Sequence, residues 1–369
     1  MLVELKLDNF RNYTAADLVF SPGLNVVLGG NGSGKTSLLE AIYFIGSGGR
    51  SFRSGRLSRL VRDGQSSTSL FAVVKQSERL HRLGVRRSLS ALDSIRLDGV
   101  KPRALSELAA LLPVLALHPE SVELVFGPSA GRRRFLDWGM FHVEQHFLPH
   151  WSHANAALKQ RNALLRAGRV SPRELHYWDQ QLAASSDSIE GLRDGYLSAL
   201  ANEFYSIIER LSPGLDVTLA LANGLKDNES YAQALLRLRE DDQRRGFTQV
   251  GFHRADIRIA VNGRPAKDFL SRGQAKIVAY ALVLAQLPMI AKVGKHCTLL
   301  VDDLGAELDA EYRQAVLDIF LSTGHQVVMT GLDAEQWRHQ YSDISAARND
   351  IDIKMFHVEH GKIRPLKDR

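Results

Sequence analysis

The chain has 369 residues and a single cysteine, Cys297, so it can build neither an intrachain disulfide nor a cysteine-rich zinc site. That scarcity suits a reducing compartment, and a cytoplasmic location is expected. No apolar run is expected to reach membrane-spanning length. Met1-Leu2-Val3-Glu4 also lacks the basic and apolar regions of a secretory signal, so the protein is expected to be neither secreted nor anchored. Internal repeats and low-complexity tracts are missing, and no heptad pattern is sustained, which excludes a long coiled-coil arm.

What remains is the composition of an ordinary globular protein, 44% hydrophobic and 24% charged. The length suggests two or three structural units with a sizeable core. A formal charge of +6 selects no partner by itself. Its distribution says more. Arg50, Arg53, Arg56, Arg59 and Arg62 recur at every third position, Arg132-Arg133-Arg134 form a triplet, and Arg86-Arg87 and Arg244-Arg245 form pairs. Clustered guanidinium groups suit phosphate backbones, through fork-shaped donors and counterion release. Surface arginine paired with local acids is the alternative at each cluster.

The stretch Gly29-Gly30-Asn31-Gly32-Ser33-Gly34-Lys35-Thr36 fits G-x-x-x-x-G-K-[ST], a loop whose backbone N–H groups wrap a nucleotide's phosphates. Lys35 is expected at the β/γ-phosphate oxygens and the Thr36 hydroxyl at Mg²⁺. Leu24 to Leu28 reads as a buried strand before the loop, and Leu38, Leu39, Ile42 and Ile45 share one face of a helix after it. Strand, glycine loop and helix aim a helix N-terminus at phosphate.

Residues 1–28 read as strands, and 46–64 as a flexible basic loop. Residues 69–100 read as an antiparallel sheet with a turn at Asp98-Gly99. Ser129 to Leu211 is helical in pattern, a strand follows at Leu215 to Leu221 and a helix at Tyr231 to Arg245, and 257–369 resume an α/β style. The expected fold class is α/β. It comprises a P-loop ATPase lobe from 1–118 and 246–369 with an adjoining antiparallel β-subdomain, and an inserted, mainly helical arm lobe at 119–245.

Two later motifs complete a site. Thr298 to Val301 is an apolar strand ending in Asp302-Asp303, where one carboxylate orders Mg²⁺ and the other orients or deprotonates a water. Leu270-Ser271-Arg272-Gly273-Gln274 opens an apolar helix, with Ser271 as its cap and Gly273 leaving room for phosphate. Ala306-Glu307-Leu308-Asp309 follows the aspartates.

This ordered set resembles the ABC-type ATPases and, within them, the RecF family of DNA-repair proteins in the SMC/Rad50-like class. Phe10-Arg11-Asn12-Tyr13, Arg50-Ser51-Phe52-Arg53, Arg132-Arg133-Arg134-Phe135-Leu136-Asp137-Trp138 and Gly251-Phe252-His253-Arg254-Ala255-Asp256 carry the closer likeness, from the first strand to about residue 330. Two positions depart from it, Phe252 replacing a proline and Ala306 a serine, whereas Thr330, in the place of a transporter's switch histidine, agrees with RecF-like proteins.

The resemblance implies that Lys35, Thr36 and Asp302 hold ATP–Mg²⁺ while Ser271, Arg272, Gly273 and Gln274 of a second copy, with Asp309, close over it. Asp303 is the expected catalytic carboxylate. It further implies an ATP-dependent homodimer that clamps duplex, gapped or single-stranded DNA without reading sequence. Arg50, Arg53, Arg56, Arg59 and Arg62 are the candidate DNA contacts. Slow, DNA-stimulated hydrolysis is implied, as is work with RecO and RecR toward RecA loading in gap repair, replication restart and SOS induction. No membrane is involved in that reading. The alternative is the nucleotide-binding subunit of an ABC transporter.

Overall fold

The computed structural model describes residues 1–53, 56–167, 171–307, 310–332, 337 and 351–366. In chain order its strands are β1 (Leu2–Phe10), β2 (Tyr13–Val19), β3 (Leu24–Leu28), β4 (Ser67–Gln76), β5 (Arg79–Ser88), β6 (Leu92–Leu97), β7 (Val114–Leu117), β8 (Val217–Ala222), β9 (Asp256–Val261), β10 (Arg264–Pro265), β11 (Thr298–Val301), β12 (Gln326–Gly331), β13 (Ile353–Glu359) and β14 (Lys362–Pro365). The principal helices are α1 (Lys35–Gly46), α2 (Ser129–Val143), α3 (Phe147–Ala167), α4 (Pro172–Leu211) and α5 (Arg272–Lys292). By compactness the chain forms two units, Met1–Ser121 with Ile290–Arg369, and Val122–Met289. Residues 246–289, expected with the ATPase lobe, fall in the second of these.

The first unit holds a six-stranded sheet in the order β14-β13-β3-β12-β11-β7, parallel except for β14. β3 pairs with β13 and β12, and every one of its residues is buried, so it reads as a continuous apolar run rather than an alternating one. Asn25 is the exception in kind. Its amide accepts the Ser21 N–H at 2.8 Å and donates to Ser21 O at 2.9 Å, so its burial leaves no amide dipole unmatched.

The same unit holds a five-stranded antiparallel sheet, β2-β1-β4-β5-β6. β1 carries one bulge, between Leu2 and Glu4, and this puts Leu2 on the buried side with Leu5 and Leu7. α1 fills the core with both sheets: Leu38, Ile42 and Ile45 pack in one cluster with Leu5, Leu83, Val328 and Phe356. Each such fully buried side chain contributes roughly 1.5–3 kcal/mol. Gln326 ties the sheets polar to polar, accepting the Leu2 N–H at 2.9 Å and donating to Leu2 O at 2.7 Å.

The second unit combines α2, α3 and α4 with the small sheet β10-β9-β8. Its centre is ionic. Arg161, fully buried, donates to Asp179 and Asp242 at 2.7 Å each and to the Thr248 hydroxyl at 2.8 Å. The helix expected over Tyr231 to Arg245 is broken at Leu238, whose ψ of 3° ends Tyr231–Arg237 before Arg239–Arg245 begins.

α5 corrects the expectation that no segment has membrane-spanning length. It is 21 residues long, and an 18-residue window within it has a mean hydropathy of 1.4, enough to cross a bilayer by length and composition. Of that window 78% is buried inside the protein, the environment of a core helix.

Candidate nucleotide site

Gly29 to Thr36 joins β3 to α1, as the local pattern predicts. Glycine is required at two of these positions. A Cβ on Gly29 would stand 2.3 Å from the Val358 carbonyl, and Gly34 has φ of +125° with the Asn12 amide 2.7 Å from its would-be Cβ. As N-cap of α1, Gly34 offers no side-chain acceptor, so the first-turn N–H groups stay directed at the loop.

Lys35 donates to Gly29 O at 2.7 Å and Gly30 O at 3.1 Å, which folds its ammonium back over the loop. Burial lowers its pKa, and the charges of Asp303 and then Asp302 work against that. Both aspartates therefore lie within electrostatic reach of the lysine. Parallel pairing of β3 with β12 and of β12 with β11 accounts for this, because it brings Asp302-Asp303 to the same sheet end as the loop.

Thr36 Oγ1 donates to Asp302 Oδ1 at 3.0 Å and lies 2.9 Å from Oδ2. Desolvation raises the Asp302 pKa, opposed by the hydroxyls of Thr36 and Thr330. A hydroxyl and a strand-end carboxylate in contact are the hard oxygen donors that Mg²⁺ prefers. Ser33 Oγ is buried in the loop with no hydrogen-bond partner among the described residues, as expected of a group awaiting a ligand. The residues present fit a nucleotide with Mg²⁺.

Four residues that spacing did not single out hold this arrangement. Asn12 donates to Ser33 O at 2.8 Å and Tyr13 to Gly34 O at 3.0 Å, so the turn between β1 and β2 grips the loop from outside. Thr330 contacts both aspartates. Glu40 is fully buried on α1, where it accepts two bonds of 2.7 Å from Arg11 and one from Ser51, with Arg53 at 3.9 Å. A lone acid between Leu39 and Ala41 was the sequence signal for Glu40.

Ser271 and Gln274 form a capping box at the head of α5. The Ser271 Oγ accepts the Gln274 N–H at 3.2 Å, and Gln274 Oε1 accepts the Ser271 N–H at 3.1 Å. Ser271, Arg272, Gly273 and Gln274 are all exposed. Leu308 and Asp309 lie outside the described residues.

Of the arginine candidates, Arg50, Arg53, Arg56 and Arg59 are exposed, whereas Arg62 donates to Asn12 O at 2.6 Å. The triplet behaves differently. Arg132 makes a bidentate pair with Asp256 at 2.7 and 2.9 Å, and Arg133 donates to Ala255 O at 2.8 Å. Arg-Arg-Arg-Phe and His-Arg-Ala-Asp are thus two halves of one internal clamp. Arg87, likewise, is buried and donates to Leu57 O at 3.2 Å, while Arg86 faces out.

Residues 1–352 match the RecF/RecN/SMC N-terminal domain family. The chain is 38% identical over 363 residues to the DNA replication and repair protein RecF of Shewanella sp. (strain W3-18-1), covering 98% of each. It is 38% identical over 368 residues to that of Shewanella oneidensis, covering 99% of each. The solved structure of the recombination mediator protein RecF with ATP in the RecFOR pathway superposes with a TM-score of 0.85 at 25% identity, over 99% of this chain and 97% of that one. An Smc head bound to the C-terminal winged-helix domain of ScpA shares the fold at a TM-score of 0.59 and 19% identity, over 99% and 97%. The α/β ATPase fold class expected from the motifs is the fold observed, and the chain belongs to the RecF family within the RecF/RecN/SMC group.

Proposed function

We propose that the chain is an ATP-dependent, DNA-binding recombination mediator in which nucleotide joins two copies into a clamp. The observation that carries this reading is the meeting of Thr36 and Asp302 within 3.0 Å at the mouth of the glycine loop. Mg²⁺, when bound there, supplies charge neutralisation at the β/γ-phosphates. Lys35 shares that task by leaving the Gly29 and Gly30 carbonyls for phosphate oxygens. Asp303 orients the attacking water and takes its proton.

Ser271, Arg272, Gly273 and Gln274 are exposed at a helix N-terminus, which favours a phosphate delivered by another molecule. We assign them, with Asp309, to the nucleotide of a second copy. In this reading the ATPase lobe is a functional unit of 1–118 and 246–369, and 119–245 is its helical arm. The RecF structure with ATP supports the choice of nucleotide. Arg50, Arg53, Arg56, Arg59 and Arg62 contact the DNA backbone of duplex, gapped or single strands without reading sequence. RecR and RecO are the partners, RecA loading is the outcome, hydrolysis is slow and DNA-stimulated, and the compartment is the cytoplasm.

Mass in solution, measured with and without ATP and duplex DNA, tests this. A dimer that appears only with ATP is expected, and Ser271→Arg should bind ATP yet stay monomeric. A wild-type protein that remains monomeric with saturating ATP and DNA sinks the clamp.

A further inference from the structure

The turn of the β13–β14 hairpin lies against the glycine loop, and we infer that it is a positioning element of the nucleotide site, setting phosphate affinity from behind the loop. The hairpin touches the loop at two points. At the loop's start, a Cβ on Gly29 would stand 2.3 Å from the Val358 carbonyl, so β13 passes directly behind the first glycine. Near its end, the Gly361 N–H donates to Ser33 O at 3.0 Å. Asn12 Nδ2 donates to the same oxygen at 2.8 Å, so both lone pairs of that carbonyl are occupied.

This double grip fixes the direction of the next donor. The peptide bond after Ser33 is planar and trans, so the Gly34 N–H points opposite to the Ser33 carbonyl. That carbonyl is held outward, toward Asn12 and the hairpin. The Gly34 N–H is therefore aimed at the concave side of the loop, where phosphate oxygens are cradled. It makes no hydrogen bond among the described residues. Ser33 Oγ, on a residue only 7% exposed, has no partner there either. Donors aimed in advance need no reorganisation when an anion arrives.

The hairpin turn makes this contact at a local cost. Glu359 pairs with Lys362, which leaves His360 and Gly361 as a two-residue turn with φ of +47° and +73°. Histidine is strained in that region. Gly361 is fixed by space as well as by conformation. A Cβ there would stand 2.3 Å from the Asn12 carbonyl, which Arg62 Nη1 already holds at 2.6 Å and keeps from yielding. Any side chain at residue 361 thus pushes apart the two donors that share Ser33 O.

The role rests on the nucleotide reading above, and direct titration of ATP and of ADP into the full chain tests it. Gly361→Ala and Gly361→Asn are the variants. Asparagine tolerates the left-handed region, so it isolates the clash with Asn12 from backbone strain. Affinity for both nucleotides should fall about ten- to a hundredfold and by the same factor, because the misdirected Gly34 N–H serves a phosphate that the two share. Gly324→Ala is the control: its glycine has φ of +65° with open space around a would-be Cβ. It should lower the thermal midpoint and leave both affinities unchanged. Wild-type ADP affinity in Gly361→Asn overturns the positioning role alone. A fall for ATP without one for ADP moves the defect to dimer closure and equally overturns it. Wild-type protein that binds neither nucleotide overturns the nucleotide reading itself.

Discussion

Thr330 Oγ1 donates to Asp302 Oδ1 at 3.0 Å. The same hydroxyl accepts the Asp303 backbone N–H at 2.8 Å, so one side chain at the end of β12 holds both aspartates at the end of β11. Asp303 needs holding, because its φ of +50° is a strained conformation for a non-glycine residue. Thr330→Val removes both bonds at nearly constant volume. We expect ATP hydrolysis to fall by about tenfold or more, ~1.4 kcal/mol of barrier, with nucleotide affinity little changed. Thr330→Ser should keep most of the rate. A valine variant that turns over like wild type removes Thr330 from the positioning role.

Lys35 and Asp303 should separate binding from turnover. Lys35→Met takes away the ammonium folded over the loop and should abolish ATP binding in a direct titration. Asp303→Asn keeps the Lys35 cradle and the Thr36–Asp302 pair, so it should bind ATP and accumulate as a dimer on DNA. Unchanged turnover in Asp303→Asn would strip that residue of its catalytic assignment.

Glu40 makes a stability prediction. Glu40→Ala strands Arg11 beside a buried void, and removing one partner of a buried pair costs about 3–5 kcal/mol. A clear drop in the thermal midpoint is expected, larger than for Arg53→Ala, whose side chain is 45% exposed and 3.9 Å from the same carboxylate. Equal midpoints for the two variants would contradict the hub.

Arg132→Ala should behave as a structural lesion. Its guanidinium is spent on Asp256, so the thermal midpoint should fall while the salt slope of DNA binding stays at the wild-type value. A reduced slope in a stably folded variant would return Arg132 to the DNA surface.

His118 sets an acid limit. Burial pushes its imidazole from 6.5 down to about 4, with its ring 5.0 Å from that of Phe52. Between those values the unfolded chain takes up a proton that the folded chain refuses. Stability is therefore full above pH 6.5 and declines as pH falls toward 4, by about 3 kcal/mol over the window. Denaturation midpoints across pH should trace this decline, and His118→Phe should flatten it. An equally steep decline in the phenylalanine variant assigns the effect elsewhere, His253 being similarly lowered to about 4 in the other unit.

Much of the local structure was legible from residues alone. β3, the glycine loop and α1 follow from a five-residue apolar run, open backbone positions and 3.6-residue periodicity, all written within about 25 consecutive residues. Ser271 and Gln274 announce their capping box by spacing, and the apolar strand before Asp302-Asp303 is equally local. Where the backbone departs from the pattern, it misled: Leu238 breaks a helix whose periodicity continues past it.

By itself, then, the amino-acid sequence determined which residue types carry chemistry and on which local elements they stand. Helix and strand periods, caps and glycine turns act over a few positions, and so they can be read along the chain. Tertiary structure alone decided the partnerships. Thr36 meets Asp302 across 266 positions of chain because β3, β12 and β11 pair in parallel register, which no local pattern encodes. Tertiary structure also separated arginines that look alike in sequence: Arg132 closes on an aspartate 124 residues away, while Arg82, Arg86 and Arg96 share an open sheet face. Whether a guanidinium is available to a phosphate depends on which carboxylate folding brings within reach, and that distance is a property of the whole fold.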